Sequence, residues 1–477
     1  MTKVKNSLFS FFLLFLSALI FGLNSSIFSW IVFVPLLYLV HIIDFKLCWL
    51  YGGIYGVLAS SFFVFWLITY NFPAMIGVWI LFFIYCSVLF VLLKIVDLYF
   101  SKLSVLFNFL LLMLYQFIQT LGFTGFNYGV IGYSQYKNLL MIQTSSFFGV
   151  WGITGIMILF SCLVYKILID KKIKSFSTLI GISLEAVFIL SSLIYGAISI
   201  KSVKNRDKNC KTISICAVQN NSDPWINGLS SYWNDLNTLI ELTDKALKEN
   251  PDIKIVVWPE TSIVPSIKKA FYLKNDMART NYVQNLLEYI ESKDCAFLIG
   301  NFNVDLQNGN EYNSAFFFIP KENVIPPEPI EYSKIHLVPF AEYFPWKRAF
   351  PHIYEKLLDG DSQLWTPGKE RVVFNYNGFR FSSPICFEDN FGSECRLFVK
   401  NGAKAFLNLS NDAWSKSSRC RTQHLQMAVF RSVENKIPTV RSTVDGVTCY
   451  INSYGKIESR CKVKTQNYIC VELPVIE

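Results

Sequence analysis

Apolar residues are not spread evenly along this chain. Up to about residue 200 they come in long runs, broken by short polar steps such as Asn24-Ser25-Ser26, Asp44-Phe45-Lys46 and Asn71-Phe72-Pro73. A membrane-spanning helix needs about 20 apolar residues, within a range of roughly 17–25. The runs predict spans near 7–23, 26–43, 47–70, 73–93, 103–122, 143–168 and 176–200, the first two short enough to form a tight hairpin. Residues 123–142, "FTGFNYGVIGYSQYKNLLMI", form a longer break rich in glycine and aromatics. It reads equally as an interfacial loop with belt aromatics and as a lid or lipid entry wall.

From about Lys201 the pattern changes to short β-rich runs alternating with amphipathic stretches. Strands are expected at 211–219, 253–260, 295–304, 313–320, 380–388 and 403–412, with a last strand pair in 438–457. Helical spacing of apolar residues predicts helices at 232–250, 279–293, near 390–400 and near 420–435. Alternating strands and helices imply a layered α/β domain. The expected division is therefore 1–200, a bundle of about seven transmembrane helices, and 201–477, an α/β domain.

Composition agrees with the pattern. The chain is 52% hydrophobic and 17% charged, against about 25% charged in soluble proteins. Its net charge of +9 does not point to nucleic acid, because no nucleic-acid motif accompanies it and lysines commonly flank spans. Lys3, Lys5, Lys46, Lys94, Lys102, Lys166, Lys171, Lys172 and Lys174 fall on one side of a seven-span topology, and Lys137 is the short-loop lysine on the other. Positive residues stay cytoplasmic. The N-terminus is thus expected inside and 201–477 outside the cytoplasmic membrane. The basic stretch Lys201–Lys211 opposes this, but long translocated domains largely escape the charge rule.

Three expected strands end in polar residues: Glu260 after "IVVWP", Cys386 after "SSPI", and Asn411-Asp412 after "FLNLS". Sites in α/β sheets gather at carboxyl ends of strands, so these ends are expected to converge. Cys386 is followed closely by Glu388 and Asp389, and negative charge disfavours a thiolate. A cysteine nucleophile needs a base and a charge stabiliser. Glu260, closing an apolar strand, suits proton transfer. Lys334, in "YSKIHLVPFAEYFP", is a point charge expected to offset the acids, favour thiolate and hold an oxyanion. Of the four histidines, His336 and His424 read as structural. No zinc spacing, phosphate-binding glycine loop or Gly-x-Ser-x-Gly elbow occurs. Besides Cys386, the twelve cysteines read mainly as buried free thiols.

"VVWPET" (256–261), "YSKIHLVPFAEYFP" (332–345), "PICFED" (384–389) and "LSNDAW" (409–414) resemble the carbon–nitrogen hydrolase, or nitrilase, superfamily. Joined to the multi-span half, the chain resembles the apolipoprotein N-acyltransferase family of the bacterial inner membrane. The resemblance implies an αββα sandwich facing the periplasm and a Glu260–Lys334–Cys386 triad. It implies supporting roles around substrate and oxyanion for Glu342, Glu388 and Phe387. Trp225 reads equally as a substrate-side tryptophan and as a cap on the first strand, and Asn411 and Trp414 read as candidates to line the pocket. The resemblance implies a ping-pong reaction without cofactor or metal. A phospholipid is the acyl donor and a diacylated apolipoprotein the acceptor. Phe387 replaces the usual tyrosine, and Gln116 and Gln119 stand where a Glu–Arg-like pair is usual. Two other readings are a membrane-tethered amidase acting on a small amide and a catalytically silent paralogue.

Overall fold

The structure, a computed structural model, describes residues 2–70, 72–122, 125–170, 176–358 and 364–477. Asn71, Phe123, Thr124, Lys171, Lys172 and Lys174, which entered the sequence reading, lie outside them. The chain divides into two compact units, Met1–Ile200 and Lys201–Glu477.

Among the described residues, five helices are long and apolar enough to cross a membrane: Phe45–Val64, Phe72–Tyr99, Ser101–Ile118, Val150–Asp170 and Thr178–Lys208. The first two expected spans coincide with shorter apolar helices, Ser7–Leu23 and Phe28–Ile42. The sixth begins later than expected. Gly149, with φ of 60°, ends a short turn Ser145–Phe148, and the long helix starts at Val150. Small residues let helices approach closely without a hydrophobic driving force. At Gly52 and Gly56 any Cβ would collide with the backbone of Cys86 and Phe82 on the next long helix. Lys94, one of the orientation lysines, is buried and paired with Asp97 at 3.2 Å.

The described part of the 123–142 loop is no free lid. Tyr128–Gln135 are buried. The Gln116 amide donates to Gly129 O at 3.3 Å and accepts from Ile131 N–H at 2.9 Å. Gln135 donates to Ser26 O at 2.6 Å. Backbone groups inside an apolar bundle must be satisfied by protein, and Gln116 does this for an irregular segment.

The described residues of the second unit form twelve strands. They are β1 (Thr212–Gln219), β2 (Ile255–Val257), β3 (Ala296–Val304), β4 (Glu311–Phe318), β5 (Ile330–Ser333), β6 (Phe374–Tyr376), β7 (Phe379–Phe381), β8 (Phe406–Ser410), β9 (Thr439–Thr443), β10 (Cys449–Ile451), β11 (Ile457–Arg460) and β12 (Asn467–Pro474). One sheet has the order β12-β1-β2-β3-β4-β5 and a second β11-β10-β9-β8. Alternate residues of β1–β4 (Ile215, Ala217, Val257, Leu298, Phe317) share one core with Leu407, Leu409 and Val440 of the second sheet. The opposite face of the first sheet (Cys216, Val218, Val256, Phe297) packs on helices Leu229–Glu249 and Met277–Glu291. Helices Gly392–Lys400 and Ser418–Asn435 belong to the other side. The layers are α, β, β, α.

β12 lies beyond the last strand pair expected from the sequence and pairs antiparallel with β1 from Thr212↔Pro474 to Gln219↔Asn467. β5 is likewise outside the expected strands. The expected strand 380–388 is much shorter: β7 ends at Phe381, and bridges at Ser382 and Ile385 carry the chain along β8 into a tight turn, Cys386–Asn390.

Candidate active site

Sheet direction explains why distant residues meet. β1, β2 and β3 run parallel, and two antiparallel steps through β4 make β5 parallel to them. Glu260 follows β2, and Lys334 is the residue after β5, so both emerge at the carboxyl edge. β4 starts at that edge, and Asn313 is its third residue. The Asn313 amide donates to Glu260 Oε1 at 2.8 Å, and its carbonyl accepts Lys334 N–H at 2.8 Å. Lys334 Nζ lies 3.2 Å from Glu260 Oε1 and 2.7 Å from Glu342 Oε1. The other Glu342 oxygen accepts Val338 N–H at 2.7 Å, closing the loop that begins beside Lys334. Glu260, Lys334 and Cys386 are 5%, 1% and 6% exposed, and the charges of Glu260 and Lys334 both act on the Cys386 thiol. The structure therefore brings together Glu260, Lys334, Glu342 and Cys386.

Their electrostatics correct one expectation. Lys334 does not hold Cys386 as thiolate: burial and the Glu260 charge push the thiol well up, and Lys334 offsets only part. Nor does Lys334 offset the acids beside the cysteine, because its ammonium is engaged by Glu260 and Glu342. Burial would lower Lys334, but Glu260 and Glu342 hold it charged. Burial raises Glu260, with Lys334 opposing. The resting site is a neutral thiol beside a carboxylate, the arrangement for general-base activation rather than a standing thiolate.

The two neighbouring acids are satisfied elsewhere. Glu388 is 1% exposed. Its carboxylate accepts Tyr332 O–H at 2.7 Å, Ile335 N–H at 2.7 Å, His336 N–H at 3.1 Å and Ile385 N–H at 2.8 Å. It clasps the segment around Lys334 to the turn carrying Cys386. Asp389 ion-pairs with Arg441 and with His424 Nε2, the latter at 2.8 Å. Cys386 itself has φ of 47°, a left-handed conformation that costs a non-glycine residue about 1–2 kcal/mol and persists where surroundings over-determine it.

The remaining expected residues are looser. Phe387 is half-buried, edge-on to Phe391 at 5.0 Å. Asn411 uses its Oδ1 to accept Ala413 N–H at 3.1 Å, so that oxygen shapes the turn after β8. Trp414 is half-buried in that turn. Trp225 is 49% exposed, with Lys416 Nζ 6.0 Å from its ring. Asn313 and Arg441 lie within strands whose patterns read as core, and Tyr332 lies in β5, which the sequence pattern does not mark as a strand, so nothing local singles out any of the three. The donor atoms of Cys386, Asp412 and His424 lie within 4.8 Å of one another. Both His424 nitrogens face acceptors within the protein, which makes the group an ion-pair cluster rather than a metal centre.

Residues 214–475 match the carbon-nitrogen hydrolase family, and residues 12–163 match the apolipoprotein N-acyltransferase N-terminal domain. The chain is 36% identical over 476 residues to apolipoprotein N-acyltransferase 1 of Treponema denticola, covering 94% of this chain and 86% of that protein. It is 37% identical over 377 residues to apolipoprotein N-acyltransferase 1 of Treponema pallidum, covering 76% and 69%. To the apolipoprotein N-acyltransferase of Borreliella burgdorferi it is 30% identical over 373 residues, covering 77% and 68%. With an apolar helical half and a carbon–nitrogen hydrolase half both matched, the chain belongs to the apolipoprotein N-acyltransferase family.

Proposed function

We propose that this chain transfers an acyl group from a phospholipid to the α-amine of the N-terminal diacylglyceryl-cysteine of lipoproteins, through a thioester on Cys386. The observation that carries the reading is the Glu260–Lys334–Glu342 ion group, with Glu260 and Lys334 buried and the buried Cys386 thiol within reach of their charges. Glu260 takes the thiol proton as sulfur attacks the sn-1 ester carbonyl. Lys334 and backbone N–H groups at the head of the Cys386 turn stabilise the oxyanion. Collapse breaks the ester C–O bond; Glu260 returns the proton to the leaving lysophospholipid oxygen. In the second half the lipoprotein amine attacks the thioester carbonyl and Glu260 takes its proton. Collapse then breaks the C–S bond, and the proton returns to Cys386. The helical half receives both lipid substrates laterally, and the lysine distribution supports an outward-facing 201–477.

The test is mass spectrometry of the membrane protein after incubation with phosphatidylethanolamine and no acceptor. The expected result is an acyl mass on the Cys386 peptide, removed by neutral hydroxylamine, absent in Cys386→Ser, and transferred to an added diacylated lipopeptide. Release of free fatty acid without transfer to the lipopeptide would favour a hydrolase. No adduct with any phospholipid would overturn the acyl donor.

A further inference from the structure

Behind the candidate nucleophile lies a buried ionic cluster that the chemistry above does not use. Asp389 comes from the Cys386 turn, Asp412 from the end of β8, His424 from helix Ser418–Asn435 and Arg441 from β9. All four are at most 3% exposed. His424 Nδ1 lies 2.7 Å from Asp412 Oδ1. His424 Nε2 lies 2.8 Å from Asp389 Oδ1 and 3.1 Å from the carbonyl oxygen of Cys386. Arg441 pairs with the second oxygen of Asp389 and lies 3.9 Å from Asp412 Oδ2. Nδ1 faces Asp412 with Arg441 Nη2 at 3.4 Å beside it, and Nε2 faces Asp389 and the Cys386 carbonyl; the two carboxylates hold the imidazole protonated, so two cations balance two carboxylates. Buried charges persist when paired in this way.

The contact to the Cys386 carbonyl has a geometric consequence. That oxygen and the N–H of Phe387 belong to one planar trans peptide unit and point in opposite directions. Fixing the carbonyl fixes where the N–H points. The first bond within the turn is Glu388 N–H to Ile385 O at 3.1 Å, so the Phe387 N–H precedes the turn's own hydrogen bonding. The left-handed Cys386 needs an external restraint. Three elements supply the cluster that provides one.

We propose that His424 is a positioning residue for the reaction. Its Nε2–H clamps the Cys386 carbonyl, orienting the Cys386–Phe387 peptide so that the Phe387 N–H faces the oxyanion. This rests on Cys386 being the nucleophile, as proposed above, but not on the identity of the acyl donor.

The test uses the full-length protein in detergent and two reagents for Cys386. p-Nitrophenyl butyrate acylates sulfur through a tetrahedral oxyanion and is followed by the p-nitrophenolate burst. Iodoacetamide alkylates sulfur by displacement at a saturated carbon, with no oxyanion. Cys386→Ser supplies the background from other thiols. His424→Asn keeps a group where Nδ1 was and loses the donor at Nε2; His424→Gln keeps a donor at Nε2. Removing one oxyanion donor slows a reaction by about 10²–10³-fold. His424→Asn is therefore expected to slow the burst about 100-fold with alkylation within about threefold of the parent, and His424→Gln to stay within about tenfold. A parental burst in His424→Asn, or both reagents slowed in step in both variants, overturns the clamp. If His424→Asn does not fold, His424→Gln decides by itself: a burst near the parental rate supports the clamp, and a 100-fold loss with unaltered alkylation overturns it. A parent that reacts with the ester but not with phospholipid refutes the lipid donor alone. A parent without a Cys386-dependent burst refutes the nucleophile and the clamp together.

Discussion

Glu388 offers the sharpest separation of architecture from chemistry. Its two oxygens hold one phenol and three backbone N–H groups, and two of those N–H groups directly follow Lys334 while the third precedes Cys386. Glu388→Ala removes every acceptor at once. Each buried donor left unpaired costs about 1–3 kcal/mol, and Ile335 and His336 are only half-buried. We therefore expect a loss of about 4–6 kcal/mol, a large part of the 5–15 kcal/mol that typically holds a domain. Glu388→Gln keeps one oxygen. Oε1 accepts both N–H groups of the Lys334 side, and Oε2 serves Ile385. With the amide oxygen in the Oε1 place, the amide nitrogen faces Ile385 N–H and can donate to the Tyr332 oxygen. One unsatisfied N–H remains, at about 2 kcal/mol. Each kcal/mol moves the melting temperature of a large domain by roughly 2–4 °C. Thermal unfolding of the purified protein should thus fall by about 10–20 °C for the alanine variant and about 4–8 °C for the glutamine variant. Thioester yield on Cys386 should follow the same order, and the glutamine variant should keep part of it at low temperature. An alanine variant that melts within about 2 °C of the parent yet forms no thioester would refute the clasp and return Glu388 to a direct chemical role.

Three further outcomes follow from the same geometry. Lys334→Met strips the shared cation from Glu260 and Glu342, which should cost about 3–5 kcal/mol; adding Glu342→Gln should recover much of the melting temperature but none of the thioester, measured by scanning fluorimetry and mass spectrometry. His424 is lowered by burial but raised overall, to about 10, by Asp389 and Asp412 against Arg441. Its folded value exceeds the unfolded value of about 6.5, so its contribution is full below about pH 6.5 and is lost as pH rises through about 10; a melting curve taken from pH 7 to 10 should fall more steeply for the parent than for His424→Gln. Gln116→Leu leaves Ile131 N–H and Gly129 O unpaired inside the apolar helical unit; thermal stability in detergent should drop by about 2–4 kcal/mol, and an unchanged melting temperature would mean the loop is held by packing alone.

What the chain's pattern reveals and what it hides divide along a physical line. Spans and strands were legible because burial imposes a period or a length: Ile215, Ala217, Val257 and Leu298 alternate into the inter-sheet core, and the long apolar runs have few other uses. Glu260, Cys386 and Asp412 were legible as polar residues closing apolar strands, and Lys334 as the cation within "YSKIHLVPFAEYFP". β12 escaped because its "NYICVELP" mixes polar and apolar residues; what makes it a strand is pairing with β1, a contact across more than half of the domain. The acids beside the cysteine misled for the same reason. Locally, Glu388 and Asp389 look hostile to a thiolate. In the fold, Glu388 holds backbone donors from a segment about fifty positions earlier, and Asp389 pairs with Arg441 and His424 farther down the chain. Both therefore act on the direction of the Cys386 turn rather than on the charge of its sulfur. The thiol is raised by its own burial and by Glu260, so a proton must leave it during attack, and the group positioned to take that proton is the same carboxylate that keeps it there at rest.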